Sequence, residues 1–599
     1  MVGPVNLFGK IHQLPLVGHN NQQARSSPLF FFIMRLNLKV ALLVACITVL
    51  LVTLSIWNHC ANYAGVKEVN KNQRYPIYNE INDENSVIPE EIDCNINNGD
   101  YTITCLKEGE EVYVPFSFIH KYFEIYGKLN TFDGLVRFEW THSYGKVYHP
   151  KHKYNPRSVF MHFENYNVEV RERVKCISAI EGVPLSTQWE SQGYFYPTQI
   201  AQFGLSHYSK NITEPEPRQL IIEDSDQYIG NWIVPVGCTI SRLPKDSNVM
   251  EFSTDNIYNK GIQLEIEHAT DLMLSVNILL YGNSSLTVIL QFREKKEYFN
   301  LHYLSTDVTI TAQDNNIYHG VGSAPVWRRL TRDLFVDLQK GLSFLGYDKS
   351  HYRVSRSKVK ISKIILRGQG TLDNLTISSS EHINHFYDAA NWFVRHQDKE
   401  RGGWPNPVRR RIAAGFEDLE PGWYSAMGQG HALSVLARAY YHSGGNKEYL
   451  NSALLGLKPF KVLSSQGGVL AKFMDVHSWY EEYPTTPPSF VLNGFIYSLL
   501  GLYDLMTIAP AEAKTAEILY REGLSSLKRM LMIYDTGSGT TYDLRHVTLK
   551  IAPNLARWDY HATHVNQLLL LSTIDNDGVF SDTAQRWIEY MSGKRAPHN

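Results

Sequence analysis

The spacing of apolar residues changes once along this chain, near residue 380, and that change limits the fold more than any motif does. Before it the apolar runs are short, alternating or β-branched, and broken by Gly, Asn and Asp. GLVRFEWTHSYGKVYH, SLTVILQF, FNLHYL, DVTITA and KVKISKIILRGQGTLDNLTIS are examples. After it, HINHFYDAANWFVRHQ, QGHALSVLARAYYHSG, YLNSALLGLKPFKVLS, SFVLNGFIYSLLGLYDLM, AKTAEILYREGLSSLKRMLMIY, HVNQLLLLSTID and SDTAQRWIEYM place apolar residues three and four apart. A period of two puts one face of a strand inward, and a period near 3.6 does the same for a helix. Strand texture followed by helix texture predicts separate domains rather than an interleaved α/β sheet, and 599 residues exceed what one core serves. The expected order is a small β-rich domain (91–210), a β-sandwich or barrel (211–378), and an (α/α) toroid (379–599).

Residues 40–57, VALLVACITVLLVTLSIW, carry no charge and are long enough for one membrane span. Lys10, Arg25, Arg35 and Lys39 precede the run and no acidic residue does, which predicts a cytosolic tail (1–39) and a lumenal remainder. A cleaved signal peptide is the rival, but no small-residue cleavage site follows the run. Met34 directly before the span marks 1–33 as an extension, and the polar stretch 58–90 reads as a stem. Sequons at Asn211, Asn283 and Asn374 fit lumenal exposure. The six cysteines end at Cys238, and Cys94 and Cys105 are near enough in sequence for one local bridge in an oxidising compartment. A net charge of −2 excludes a global field for nucleic acid. The 36 Tyr, 26 Phe and 11 Trp suit stacking on sugar rings as well as large cores.

Three polar loops interrupt the helical part: SWYEEYPTTPPSF (478–490), YDTGSGTTYDLRH (534–546) and NLARWDYHATHVNQ (554–567). Tyr542 lies three residues before Arg545, and Arg557 three before Tyr560. If locally helical, each pair shares a face, and the cation is expected to lower the phenol's pKa. Tyr plus Arg suits removal of a proton alpha to a uronate carboxylate, because the charge must be offset before the carbanion forms. His561 and His564 at i, i+3 are a weak metal motif; orienting a tyrosine or packing in the core suits them better. In the β-region Arg171, Arg173 and Lys175 alternate, with Tyr194, Tyr196, Gln199 and Gln202 following. They line either an anionic-glycan groove or a solvated edge. Asp373 in TLDNLTIS is either a turn residue or an oxygen ligand for a structural calcium.

EGVPLSTQWESQGYFYPTQIAQFGLSHYSKN, LEPGWYSAMGQGHALS, WYEEYPTTPPSFVLNGF, YDTGSGTTYDLRH and IAPNLARWDYHATHVNQLLLLSTID closely resemble the heparosan-N-sulfate-glucuronate 5-epimerases, the D-glucuronyl C5-epimerase family of heparan sulfate synthesis. The resemblance runs from about Cys94 to the C-terminus. It implies inversion at C5 of glucuronate within the polymer, a Golgi type II membrane protein, a homodimer, other heparan sulfate biosynthetic enzymes as partners, and no organic cofactor. By the same resemblance Glu482, Tyr483, Tyr542 and Tyr560 are catalytic. Glu482 and Tyr560 would be the opposed pair, Tyr542 assisting and Tyr483 positioning. Substrate contacts would come from Arg545, Arg557, Asn493, Tyr497, Arg410, Tyr166, Arg171, Gln188, Tyr196, Asn554, Trp558 and His561. A structural calcium would fall to Asp373, with Glu223, Ser247 and Asn248 on a stretch that departs from the family pattern. Competing readings are a polysaccharide lyase, a glycoside hydrolase using Glu481 and Glu482, and a non-enzymatic glycan-binding protein.

Overall fold

The computed structural model describes residues 89–597, apart from 124, 225–229, 244–248, 255–259, 294–296 and 347–354. The expected tail, membrane span 40–57, most of the stem, Ser247 and Asn248 therefore lie outside the described residues. Among those described, no helix is long and apolar enough to cross a membrane.

Two compact units divide at Val114/Pro115. In the first, strands Glu90–Ile96, Tyr101–Glu108 and Glu111–Tyr113 form an antiparallel meander. The turn at Asn97, Asn98 and Gly99 uses positive φ throughout, which Asn and Gly tolerate best. The expected bridge forms here, Cys94 to Cys105.

The second unit starts with helix α1 (Phe116–Phe123) and a hairpin, Tyr126–Phe132 with Leu135–Thr141. Asp133-Gly134 turns that hairpin with both φ values positive (49° and 76°), the type I′ signature of an Asp-Gly pair. Its core is a sandwich built around two twenty-residue strands, Met273–Phe292 and Val359–Ser378. They run antiparallel from Met273↔Ser378 to Phe292↔Val359, with a register slip beside Gly282 and Gly368. Each long strand consequently has different outer neighbours before and after the slip: Arg328–Asp333 then Tyr298–Leu304 on one, Ile262–His268 then Val249–Thr254 and Gln219–Glu223 on the other. Leu274, Val276, Ile278, Leu286, Val288, Ile361, Ile364 and Leu366 fill the space between layers. Helix α3 (Leu334–Phe344) covers part of it, capped by Asp333, whose carboxylate accepts from the N–H groups of Phe335 and Val336.

The β-rich domain expected over 91–210 is not one piece. Most of residues 142–213 join the C-terminal core instead, while Cys176, Ala179 and Leu185 pack with the sandwich. Phe160, Phe163 and Val168 are buried with Ile200, Phe203, Leu205 and Tyr208 of helix α2 (Pro197–Thr213), against Phe386, Ala389 and Val435. The residues of α2 are buried on almost every side, so its sequence lacks the polar stripe that marks a surface helix. A small sheet, Val174–Ile177, Pro184–Ser186 and Tyr194–Phe195, precedes it. The sandwich is tied to that sheet by Arg332, which donates to Asp337 at 2.5 and 2.9 Å and to the carbonyl of Ile177 at 2.9 Å.

The remainder is helical: α4 (His382–Arg395), α5 (Ala426–His442), α6 (Lys447–Leu455), α7 (Leu492–Ile508), α8 (Lys514–Met530), α9 (Arg545–Leu549), α10 (Trp558–Ile574) and α11 (Gly578–Met591). Helix α7 is buried from Leu492 to Leu502 and packs on α5, α8 and α10. It meets α5 through glycines: a Cβ on Gly501 would lie 2.0 Å from the carbonyl oxygen of Gly430. Near the far end of α7, Arg438 of α5 bonds Asp504 at 2.5 Å, and Tyr154 closes the group with 2.8 and 3.0 Å bonds. The near end of α7 faces the three polar loops.

Candidate active site

Four pieces of chain converge at the start of α7. They are the loop 481–490, the segment 540–544, the first turn of α10, and α7's own Asn493, Gly494 and Tyr497. Backbone bonds lock them together. Thr541 bridges Leu555, Tyr542 N–H donates to Asn554 at 2.7 Å, and Ala556 N–H to Thr540 at 2.8 Å. Leu492 N–H reaches the carbonyl of Tyr542 at 3.1 Å, and Leu544 N–H that of Ser489 at 2.9 Å.

Glu481 and Glu482 are adjacent and both buried. Glu481 turns into the protein, where its carboxylate accepts from Ser489 Oγ (2.9 Å), Ser489 N–H (3.3 Å) and Phe490 N–H (3.0 Å). Phe490 holds φ at +54°, a conformation bulky residues rarely adopt, and the Glu481 bond helps to keep it there. Burial pushes the Glu481 carboxyl up to about 8. Glu482 turns the other way. Burial raises it to about 7, against hydrogen bonds from Tyr483 and Tyr542 that favour the anion. Its Oε2 is buried without a hydrogen-bond partner in the protein. Gly494 makes room for it, since a Cβ there would come within 2.2 Å of Oε2.

The hydroxyl of Tyr542 lies 3.5 Å from Glu482 Oε1, and its ring meets that of Tyr560 edge-on at 4.9 Å. Tyr560 is 37% exposed at the mouth. The Tyr483 ring contacts Trp423 at 5.9 Å, and Trp423 contacts Trp189 at the same separation. Arg410 lies over Trp189 at 5.0 Å, and Tyr196 packs on it at 4.9 Å. On another side Arg171 sits over Tyr166 at 5.2 Å and donates to Gln202 at 2.8 Å, while Tyr166 and Tyr497 share a hydrogen bond. Tyr196, Tyr497, Tyr483, Tyr542 and Tyr560 all feel the charge of Glu482. The sequence segments therefore do assemble, with Trp189 and Trp423 as aromatic members that sequence reasoning missed. Gln188 neighbours Trp189, and Asn493 Oδ1 is buried without a protein partner.

Two expectations are corrected. The arginines do not lower the tyrosines. Arg545 is committed to Asp543, at 2.9 Å through Nε and 2.6 Å through Nη2. Tyr542 is pushed well up, by burial first and then by Glu482. Arg557 pulls Tyr560 down, but burial and Glu482 outweigh it and the phenol ends up raised. Both phenols are thus held neutral, fit to donate a proton rather than to persist as phenolates. His561 does not face the cleft: its Nδ1 meets Thr540 Oγ1 at 3.0 Å and its Nε2 the carbonyl of Trp587 at 2.8 Å. His564 meets the same Thr540 oxygen at 3.0 Å, and burial takes it down to about 3. The two rings clamp the Tyr542 segment to α10. Asn554 is also structural in part, donating to Asp543 at 2.9 Å, and Trp558 packs on His142 and His561.

Asp373 and Glu223 lie on paired neighbouring strands, with Leu375 opposite Glu223. The Glu223 carboxylate accepts from Gly230 N–H (2.7 Å), Trp232 Nε1 (2.9 Å) and Arg242 Nη2 (2.8 Å). As arranged it is matched to N–H donors, not set in an oxygen cage. Asp373 accepts from Asn374 at 2.5 Å. Among the described residues no three His, Cys, Asp or Glu side chains gather to hold a metal ion.

Residues 397–589 match the family model described as the D-glucuronyl C5-epimerase C-terminus, and 246–369 that of the D-glucuronyl C5-epimerase β-sandwich domain. The chain is 40% identical over 556 residues to the D-glucuronyl C5-epimerase of Caenorhabditis elegans, covering 84% of this chain and 89% of that one. An uncharacterized protein of Methanocaldococcus jannaschii, MJ1128, is 33% identical over 176 residues, 29% of this chain and 54% of its own. Among solved structures, a family 29 carbohydrate-binding module mutant covers 28% of this chain and 96% of its own at 13% identity; its TM-score of 0.17 carries no weight. Matched over both its sandwich and its helical part, and along most of its length by the nematode enzyme, the chain belongs to the D-glucuronyl C5-epimerase family.

Proposed function

We propose that this epimerase inverts C5 of D-glucuronate residues to L-iduronate within N-sulfated heparosan, by proton removal from one face and return to the other. The observation that carries the reading is the line Glu482–Tyr542–Tyr560, one carboxyl and two phenols in sequence through the cleft. Abstraction alpha to a carboxylate needs its charge offset; Arg171 is the cation suited to that, with Arg557 able to assist if it exchanges its 3.1 Å pair with Asp559 for the substrate carboxylate. Glu482, raised to about 7, is about half ionised at neutral pH and fully so above it, and is basic enough to take the C5 proton. Tyr560, held neutral, delivers its proton to the opposite face and becomes a phenolate. Tyr542 lies between them and passes the proton from Glu482 back to Tyr560. Every proton is accounted for, and the reverse reaction runs the same chain backwards. A hydrolase needs two carboxyls flanking a glycosidic bond; Glu481 faces away, bonded to backbone, which counts against that rival.

Incubating the lumenal part with N-sulfated heparosan in deuterated water tests the reading. Deuterium at C5 with iduronate and intact chains supports it; unsaturated ends mean a lyase, and no exchange a glycan-binding protein. Tyr560→Phe should fold and lose exchange by at least about 10²-fold, and wild-type exchange in that variant removes Tyr560 from the mechanism.

The finer expectations belong to the same proposal: an (α/α) toroidal arrangement of the helical part, Golgi residence behind the 40–57 anchor, a homodimer and a structural calcium. The hairpin 126–141 supports the homodimer, because Leu129, Phe132, Leu135 and Val136 are 60–71% exposed on it and contiguous apolar surface of that kind marks an interface. Proximity of Asp373 and Glu223 on paired strands supports the calcium, provided Glu223 releases its N–H donors. No chemical step depends on that ion.

A further inference from the structure

Between the hairpin and the first site residues the chain reads GKVYHPKHKYNPR, 145–157. Lys146, Lys151, Lys153 and Arg157 are all exposed. None of them makes an ion pair with any carboxylate among the described residues. Four cations within twelve residues repel one another, and an ordinary surface would intersperse carboxylates.

The segment is not free to relieve that repulsion by fraying. Its backbone is fastened to the C-terminal half of α10. Tyr148 N–H donates to Asn566 Oδ1 at 2.7 Å, and Asn566 returns a bond to the Lys146 carbonyl at 2.9 Å. Tyr154 N–H reaches Thr573 at 3.0 Å, and the Tyr154 hydroxyl is fixed by Asp504 and Arg438. Pro150 and Pro156 restrict the backbone further, and Arg157 lies over Tyr441 at 4.9 Å. At a rise of 1.5 Å per residue, the fastenings at Asn566 and Thr573 sit about 9 and 20 Å along α10 from Tyr560.

The strap also connects to the cleft. The Tyr148 ring stacks on His162 at 4.2 Å and 8°, and His162 meets Tyr166 at 5.6 Å. Tyr166 is the residue under Arg171 at the site. An aromatic path therefore leads from the cleft to the row of lysines.

We propose that this strap is an exosite for the polyanionic glycan beyond the reacting uronate, with Lys146, Lys151 and Lys153 pairing the sulfate and carboxylate groups of neighbouring disaccharides. The proposal rests on the polymer-epimerase reading given above. Sequence-independent cation–polyanion contact releases counterions, so its mark is salt-dependent affinity that grows with chain length. Ordering of the strap is completed on folding, so binding a chain costs little further backbone entropy.

The test compares the wild type, the triple variant Lys146→Ala/Lys151→Ala/Lys153→Ala and the corresponding triple Arg variant. Each is offered long N-sulfated heparosan and an N-sulfated hexasaccharide short enough for the cleft alone. Direct binding of the long chain is measured against NaCl, and kcat and KM are taken from C5 deuterium exchange. The Ala variant should bind the long chain about tenfold more weakly, with the slope of log affinity against log salt reduced by about 2. Its KM for the long chain should rise in parallel, with kcat on both substrates and kcat/KM on the hexasaccharide within twofold of wild type. The Arg variant should behave as wild type. An unchanged salt slope overturns the exosite, and so does an equal loss on both substrates, which would mean a damaged cleft. Should the wild type show no C5 exchange at all, the epimerase reading fails, and the binding measurements still decide the strap.

Discussion

Glu481 and Glu482 differ only in which way the chain turns them, yet one is a fastener and the other is the group proposed to react. Glu481 is surrounded by donors, and a buried carboxyl so bonded is costly to alter because each abandoned N–H is left buried. Glu481→Gln should lower kcat about 10- to 100-fold with little change in KM and lower Tm; a wild-type kcat would show that Phe490 and its loop do not depend on it. Glu482 has the opposite character, being buried with one oxygen unpartnered. Its folded pKa of about 7 lies above the unfolded 4.5, so the folded state holds the proton more tightly. Stability from this group is complete below about pH 4.5 and is lost as pH rises through about 7. Glu482→Gln should therefore abolish C5 exchange and raise Tm relative to wild type, by more at pH 8 than at pH 5, in paired thermal scans. In the wild type kcat should climb as pH passes upward through about 7. Sequence made the two carboxylates legible as a pair but not their directions, which depend on Ser489 and Phe490 folding back eight and nine residues later.

Two elements hold the tyrosines in register. The imidazoles of His561 and His564 both address Thr540, so the segment carrying Tyr542 is pinned to the helix carrying Tyr560. In sequence, two histidines three apart carry the same signature whether they clamp a hydroxyl or bind a metal, and only the third partner, more than twenty residues away, separates the cases. The start of α7 supplies the other constraint. Gly494→Ala should displace the Glu482 carboxyl from its position beside Tyr542 and reduce kcat about 10²-fold or more, with circular dichroism unchanged; wild-type kcat would mean the loop adjusts freely. Nothing in the local sequence announces that glycine, because the atom it avoids belongs to a loop twelve residues earlier. The arginines illustrate the same limit. Spacing put Arg545 near Tyr542, but Asp543 lies closer in space and takes the guanidinium.

At the scale of the molecule, the change of period near residue 380 located the sandwich and the helices correctly, since both patterns are dictated by which face is buried. It misassigned 142–213, whose residues are covered from several sides and show no clean period. Chelation is expected to act on the sandwich alone. EDTA should lower the Tm of the full chain, and added calcium restore it, with kcat at temperatures below the transition unchanged. No shift with EDTA would remove the calcium, and a loss of kcat without unfolding would move it to the chemistry.

Helix α10 carries Tyr560 at one end and the strap's last fastening, Thr573, near the other. A helix is among the stiffest short spacers a chain can form, with a fixed rise per residue. On the proposed reading, the distance between the carbon being inverted and the cations that would hold the rest of the glycan is therefore set by a ruler rather than by a tether. A chain advancing along that ruler would present its uronates to Tyr560 in steps of its own repeat, with the spacing written into thirteen residues of protein.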